Sequence, residues 1–232
     1  MSAMTEKIPL RIIDCGLAEY NKILDLQMQL QEQRRSNQIP DTVLIVEHYP
    51  VITLGARKTA NKLLINEEQI KSKGVDIVET RRGGGATAHN PGQLVFYPIL
   101  NLQQLNLSIS NFVGRLEKVG REMLTRLAVE SQTLKGFPGL WVVKRDTRYE
   151  TRDMRKIASI GVRVSRFITH HGMAININND LSIFDLFVPC GLDGVKMTSV
   201  LKETGNEFSM TDVKQILTQI IQKHFSAEIE KP

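Results

Sequence analysis

From Ile109 to Ala128, apolar residues recur at Ile109, Phe112, Val113, Leu116, Val119, Met123, Leu124 and Leu127, the spacing of one helical face. Ser108 stands where an N-cap would. A second amphipathic helix is predicted near the C-terminus through Val213, Ile216, Leu217, Ile220 and Ile221. It follows Ser209-Met210-Thr211-Asp212, which has the form of a capping box. Leu17, Tyr20, Ile23 and Leu24 place a third helix that runs to about Arg35, and Asn66 caps a short one that Gly74 ends. Strands are predicted at Arg11 to Asp14, Thr42 to Glu47, Val51 to Leu54, Val75 to Thr80, Leu140 to Val143, Ile157 to Arg166 and Ala174 to Asn178. A turn is expected around Thr169-His170-His171-Gly172. Leu94-Val95-Phe96-Tyr97-Pro98-Ile99-Leu100 is a solid apolar run, the pattern of a strand buried on both faces. Lys144 to Arg155, with five basic and three acidic residues and no period, reads as a solvated loop.

Strands gather in clusters with helices between the clusters, so the expected class is α+β: a mixed sheet with helices packed against it, without regular βαβ winding. Without a linker rich in Pro, Gly and Ser, residues 1–232 read as one domain, with a small C-terminal portion beginning near Leu181 as its one boundary.

The densest stretch of special backbone lies just before that apolar run: Arg81-Arg82-Gly83-Gly84-Gly85-Ala86-Thr87-Ala88-His89-Asn90-Pro91-Gly92-Gln93. Three glycines leave N–H groups uncovered and let backbone approach a ligand. A hairpin needs about 2–5 loop residues. This stretch is far longer, so it reads as a binding loop.

Composition narrows the chemistry. Hydrophobic content of 41% and charged content of 24% are ordinary for a globular protein. Nothing resembles a membrane span or a secretory signal, and two cysteines make no disulfide framework, so a reducing cytoplasm is the expected location. A net charge of +5 favours acidic partners. Nucleic-acid binding ranks last, since the chain has one Trp, no zinc spacing and no reader motif. Neither a metal nor a cofactor is called for.

Cys190, between Pro189 and Gly191, is a candidate nucleophile held at a turn, against the alternative of a buried structural thiol. Lys156 opens an apolar strand. Buried, it would act as a base and favour a neighbouring thiolate; exposed, it would only snorkel. Together the two would serve acyl transfer. His89, His170 and His171 are the other candidate bases.

Four blocks carry a family resemblance, in order, between about Val43 and Gly205. They are Glu47-His48-Tyr49-Pro50-Val51-Ile52-Thr53-Leu54-Gly55; Arg82 through Val95; Lys156 through Ser165 with His171-Gly172-Met173-Ala174; and Val188-Pro189-Cys190-Gly191. The chain resembles the lipoyl(octanoyl) transferases. The resemblance implies the fold of the biotin/lipoate protein ligase superfamily, a mixed, largely antiparallel sheet flanked by helices. It implies that an octanoyl group passes from acyl carrier protein to Cys190 as a thioester. The acyl group would then go to a specific lysine of the lipoyl domains of 2-oxoacid dehydrogenase complexes or of the glycine cleavage H protein. Lys156 matches the family lysine that relays protons. Arg82, Gly83, Gly84, Gly85, Ala86, Thr87, Ala88 and His89 match substrate-contacting positions, as do Ser159, Ile160, Gly161, Gly172, Met173 and Ala174. Two departures are Ala88, where the family usually has tyrosine, and Asn90, where it usually has glycine; loss of the aromatic wall would either widen the acyl pocket or change the chain-length preference. The nearest alternative is an ATP-dependent lipoate or biotin ligase of the same superfamily, and the other is a non-catalytic binding module.

Overall fold

The run at Leu94–Leu100 lies at the centre of the architecture. In the computed structural model, which describes residues 5–7, 9–146, 151–192, 194–226 and 228–230, strand β7 (Gln93–Ile99) is buried along its whole length. The strands before it are β1 (Thr5–Lys7), β2 (Leu10–Ala18), β3 (Asp41–His48), β4 (Val51–Leu54), β5 (Asp76–Glu79) and β6 (Thr87–His89). Those after it are β8 (Gln132–Leu134), β9 (Phe137–Asp146), β10 (Thr151–Ser165), β11 (Ile168–Asn176), β12 (Lys196–Met197) and β13 (Glu228–Glu230). Helices α1 (Tyr20–Arg35), α2 (Glu67–Ser72), α3 (Ile109–Arg126), α4 (Val200–Thr204) and α5 (Met210–Phe225) complete the fold.

The main sheet runs β2-β3-β7-β11-β10-β9-β8, with β12 added alongside β10. Among the described residues of this sheet, β2/β3 and β10/β12 are parallel and the other pairs antiparallel. A smaller sheet, β5-β4-β6, carries the glycine stretch, and β1 pairs with β13 apart from both. Alternation along the central strands sorts their side chains to two faces. Val43, Ile45, Leu94 and Phe96 join Phe112, Leu116 and Val119 of α3 and Leu217 and Ile221 of α5 in one cluster. Leu44, Val46, Val95 and Tyr97 join Ile23 and Leu30 of α1 on the other side. A third cluster lies under the small sheet, where Ile52, Ala86 and Ala88 meet Ile70, Phe184 and Phe187.

Local signals hold where they rest on a cap. Ser108 accepts from Asn111 N and Ser209 from Asp212 N, and Asn66 forms a complete capping box with Gln69. At the end of α1, Arg34 Nε lies 2.6 Å from Asp41 Oδ1, a buried ion pair that pins α1 to the start of β3.

Three expectations change. Helix α1 starts at Tyr20, because pairing with β3 draws Leu17 into β2. The turn expected at Thr169 to Gly172 is instead strand, buried throughout β11. The chain reverses at Arg166 and Phe167, both at positive φ (49° and 68°), between the paired residues Ser165 and Ile168. That is the two-residue hairpin geometry that fits sheet twist, achieved here without glycine. The charged segment is also largely strand: Thr151 to Asp153 pair with Asp146 to Lys144, while residues 147–150 lie outside the described residues. A ladder satisfies backbone groups without needing an apolar face, so composition hid it.

Phe112 is fully buried and faces Phe225 at 6.4 Å between ring centroids. Phe112→Ala should cost about 3–5 kcal/mol. A thermal melt indistinguishable from wild type would contradict this packing.

Candidate active site

Cys190 sits on a tight turn after the third cluster. Its backbone N–H donates to Ala86 O at 2.9 Å, and Val188 N–H donates to Lys62 O at 2.8 Å, so the turn is sewn to the small sheet. Cys190 adopts φ 57°, ψ 11°, a left-handed conformation that costs about 1–2 kcal/mol for a residue with a Cβ. Gly191 follows at φ 69°, and a Cβ there would lie 2.5 Å from Ala60 Cβ. The half-buried thiol is thus presented by a strained backbone that its surroundings enforce.

Lys156 reaches that thiol from β10. The β9/β10 register shifts between Lys156 and Ala158, a bulge at Ile157 that re-aims the lysine. Lys156 is only 2% exposed. Its ammonium donates to Pro138 O at 3.1 Å and to Cys190 Sγ at 3.3 Å. Gly139, at φ 118°, makes the space: a Cβ there would come within 3.1 Å of Lys156 Cε. His89, His170 and His171, the other candidate bases, make no hydrogen bond to Cys190 among the described residues.

Two cavities meet at Cys190. The inner one is narrow, about 40 Å³, and opens at its mouth. It is lined by Arg82 to Gly85, Thr87 and His89 from the glycine stretch, Ser159 to Gly161 from β10, and Gly172 to Ala174 from β11. The β10 and β11 segments face each other in register, Ser159 opposite Ala174 and Gly161 opposite Gly172. The outer groove, about 290 Å³, shares Gly83, Gly84, Ile160, Gly161 and Cys190 with it and adds Lys156, Arg57, Val113, Phe137 and Leu192.

Ala86 and Ala88 do not line either cavity. Strand alternation turns Thr87 and His89 inward and sends both alanine methyls into the third cluster. The expectation that alanine at 88 widens the acyl pocket is therefore corrected: that position shapes the packing behind the wall. Asn90, the other departure, donates to Asp180 O at 2.8 Å and accepts from Asn179 at 3.0 Å, tying down the end of the loop. Tyr20, Val95, Tyr97 and His171 complete the inner lining. Of these, Tyr97 had a readable signal, a phenol set in an otherwise apolar buried run.

Arg82 crosses the floor of the loop. It is buried, and its guanidinium donates to Thr53 O at 2.7 Å, to Thr53 Oγ1 at 2.8 and 3.1 Å, and to Gly83 O at 3.1 Å. Burial pushes its pKa down from the usual guanidinium value, opposed by Tyr20, Cys190 and Tyr97 nearby. The Gly84 and Gly85 N–H groups donate to no acceptor among the described residues, and both residues line the inner cavity together with Cys190.

Behind Arg82 is a shell of neutral rings. Tyr20 stacks on His89 with centroids 5.6 Å apart, and His48 Nε2 lies 2.8 Å from the Tyr97 hydroxyl. Burial lowers His48 to about 4 and His171 to about 3, lowers His89 well below the usual imidazole value, and raises Tyr20 to about 12. The unfolded chain titrates its imidazoles near pH 6.5, so it binds more protons than the folded chain below that pH. Stability is complete above about pH 7 and is lost progressively as pH falls from about 6.5 toward 4. The urea midpoint should drop measurably between about pH 7.5 and 5, above the carboxylate range. A flat midpoint over that window would contradict neutral burial of these rings.

The family described as the lipoyl protein ligase A/B catalytic domain matches residues 19–222. An octanoyltransferase of Koribacter versatilis is 34% identical over 212 residues, covering 90% of this chain and 82% of that one. One of Maridesulfovibrio salexigens is 33% identical over 217 residues, covering 94% and 97%, and one of Roseiflexus is 38% identical over 209, covering 90% and 84%. Among solved structures, P. falciparum LipL1 in complex with lipoate aligns with a TM-score of 0.70 at 15% identity, over 94% of this chain and 62% of that one. Lipoate-protein ligase A bound with ATP aligns at 0.64 and 15%, over 94% and 85%. The structural likenesses give the fold, and the closer sequence relatives give the activity: the chain belongs to the octanoyltransferases, acyltransferases of protein lipoylation built on the lipoyl protein ligase A/B catalytic domain.

Proposed function

We propose that this chain, as one catalytic domain in the cytoplasm, moves an octanoyl group from acyl carrier protein to a lipoyl-domain lysine through a thioester on Cys190. The observation that carries this reading is the 3.3 Å approach of Lys156 Nζ to Cys190 Sγ where the two cavities join. The inner cavity takes the acyl chain, whose burial contributes about 0.8 kcal/mol per methylene. The outer groove takes first the donor's thioester arm and then the acceptor lysine. Lipoyl domains of 2-oxoacid dehydrogenase complexes and the glycine cleavage H protein are the proposed acceptors.

In the first half-reaction the Cys190 thiolate, stabilised by the Lys156 ammonium, adds to the donor carbonyl. The Gly84 and Gly85 N–H groups, with Arg82 behind them, stabilise the oxyanion. The intermediate collapses by breaking the carbon–sulfur bond to the donor, and Lys156 gives that departing thiolate a proton. In the second, the acceptor amine attacks the Cys190 thioester, the Lys156 amine takes its surplus proton, and Cys190 leaves as thiolate. A thioester and an amine have become an amide and a thiol, with Lys156 returned to its starting charge. Substrate contact is proposed for Arg82, Gly83, Gly84, Gly85, Thr87, His89, Ser159, Ile160, Gly161, Gly172, Met173 and Ala174, all of which line the inner cavity.

Intact-protein mass measurement after mixing with octanoyl-acyl carrier protein, without ATP, tests this. An octanoyl adduct labile to hydroxylamine is expected, absent in Cys190→Ser and formed at least about a hundredfold more slowly in Lys156→Ala, as for loss of a general acid–base group. Acceptor modification that requires ATP and free octanoate, without an adduct, would establish the ligase reading instead.

A further inference from the structure

Resting on the transfer reading above, we infer that Trp141 is a positioning residue for the reaction: its indole face holds the Lys156 ammonium against Cys190. Lys156 Nζ lies 5.1 Å from the Trp141 ring centroid. Trp141 is the partner of Lys156 in the β9/β10 register, immediately before the bulge at Ile157. The indole is itself fixed: it is 3% exposed, Nε1 donates to Phe137 O at 3.2 Å, and the Phe137 ring meets it edge-on at 6.3 Å.

The need for such a contact follows from what surrounds the lysine. An ammonium has three donors. Here Pro138 O and Cys190 Sγ accept two, and no carboxylate pairs with Lys156 among the described residues. A buried cation attracts an aromatic quadrupole more strongly than an exposed one, because water does not compete. An Asp or Glu in the place of Trp141 would also hold the ammonium, but its charge would repel the thiolate that Lys156 has to stabilise. The indole supplies electron density with no net charge. It therefore keeps the cation in place through the part of the cycle in which sulfur is negative.

The sequence holds one tryptophan, so fluorinated tryptophan incorporated during expression changes only this ring. Fluorine withdraws electron density from the face while keeping the ring's shape. The readout is alkylation of Cys190 by iodoacetamide across pH, followed by intact mass in a Cys15→Ser background, and it needs no acyl donor. Progressive fluorination should lower the alkylation rate at pH 7 stepwise and move its half-maximal pH upward. Trp141→Leu should lower the rate about thirtyfold, the size of a desolvated cation–π contact, with Trp141→Phe between. In a Lys156→Met background neither change should have further effect, since the contact it perturbs is gone. Equal rates across the fluorinated series, or the same loss with Lys156→Met present, overturn the inference while leaving the dyad intact. Alkylation that is insensitive to Lys156→Met itself overturns the dyad, and this inference with it.

Discussion

A lysine side chain buried with no carboxylate partner among the described residues is the constraint that the rest of the site answers. Water is gone from Lys156, so electron density has to come from fixed neighbours, and three are provided: a carbonyl oxygen, a sulfur and an indole face. Each requires something of the backbone. Pro138 and Trp141 lie on either side of Gly139, whose missing Cβ leaves room for the lysine stem. The bulge at Ile157 turns Lys156 toward the turn that carries Cys190. That turn is held in an unfavourable conformation by hydrogen bonds to Ala86 and Lys62. The thiol and the amine therefore meet because two sheets are locked together, and neither strand would bring them together alone.

The same economy of side-chain bulk opens the cavities. A Cβ on Gly161 would press on Gly83 O at 3.0 Å, and one on Gly172 would overlap Phe96 O at 2.1 Å. A Cβ on Gly85 would overlap Ala60 O at 2.4 Å. Glycine at these positions lets strands and loop pass close enough to wall a narrow space with backbone. Backbone walls bring uncovered N–H groups, and those of Gly84 and Gly85 meet no acceptor among the described residues.

Around this centre the ionisable groups are held in one electrostatic sense. His48, His89 and His171 are neutral because burial disfavours the imidazolium, and the phenols of Tyr20 and Tyr97 stay protonated for the matching reason. Arg82 keeps its charge by donating to Thr53 and to the Gly83 carbonyl. What the thiol meets is therefore a pair of cations set against polar but uncharged rings. Fixed dipoles and cations of this kind are what the proposed thiolate and oxyanion would require.

Periodicity determined much of this protein. The faces of α3 and α5, their Ser108 and Ser209 caps and the doubly buried β7 follow from the order of apolar residues, because those elements are specified by local pattern. Most residues that line the cavities were legible as motif blocks, and Cys190 and Lys156 as candidate chemistry. Pattern could not place what depends on partners distant in sequence. Strand β6 is too short to show a period, and the reversal at Arg166 and Phe167 lacks the usual turn residues. The inward turn of His89 and the outward turn of Ala88 were fixed by which strand β6 pairs with, β4. Lys156 and Cys190, 34 positions apart, come within 3.3 Å only when β10 and the small sheet pack, which is why the sequence supplied the two candidate groups and tertiary structure alone decided that they touch.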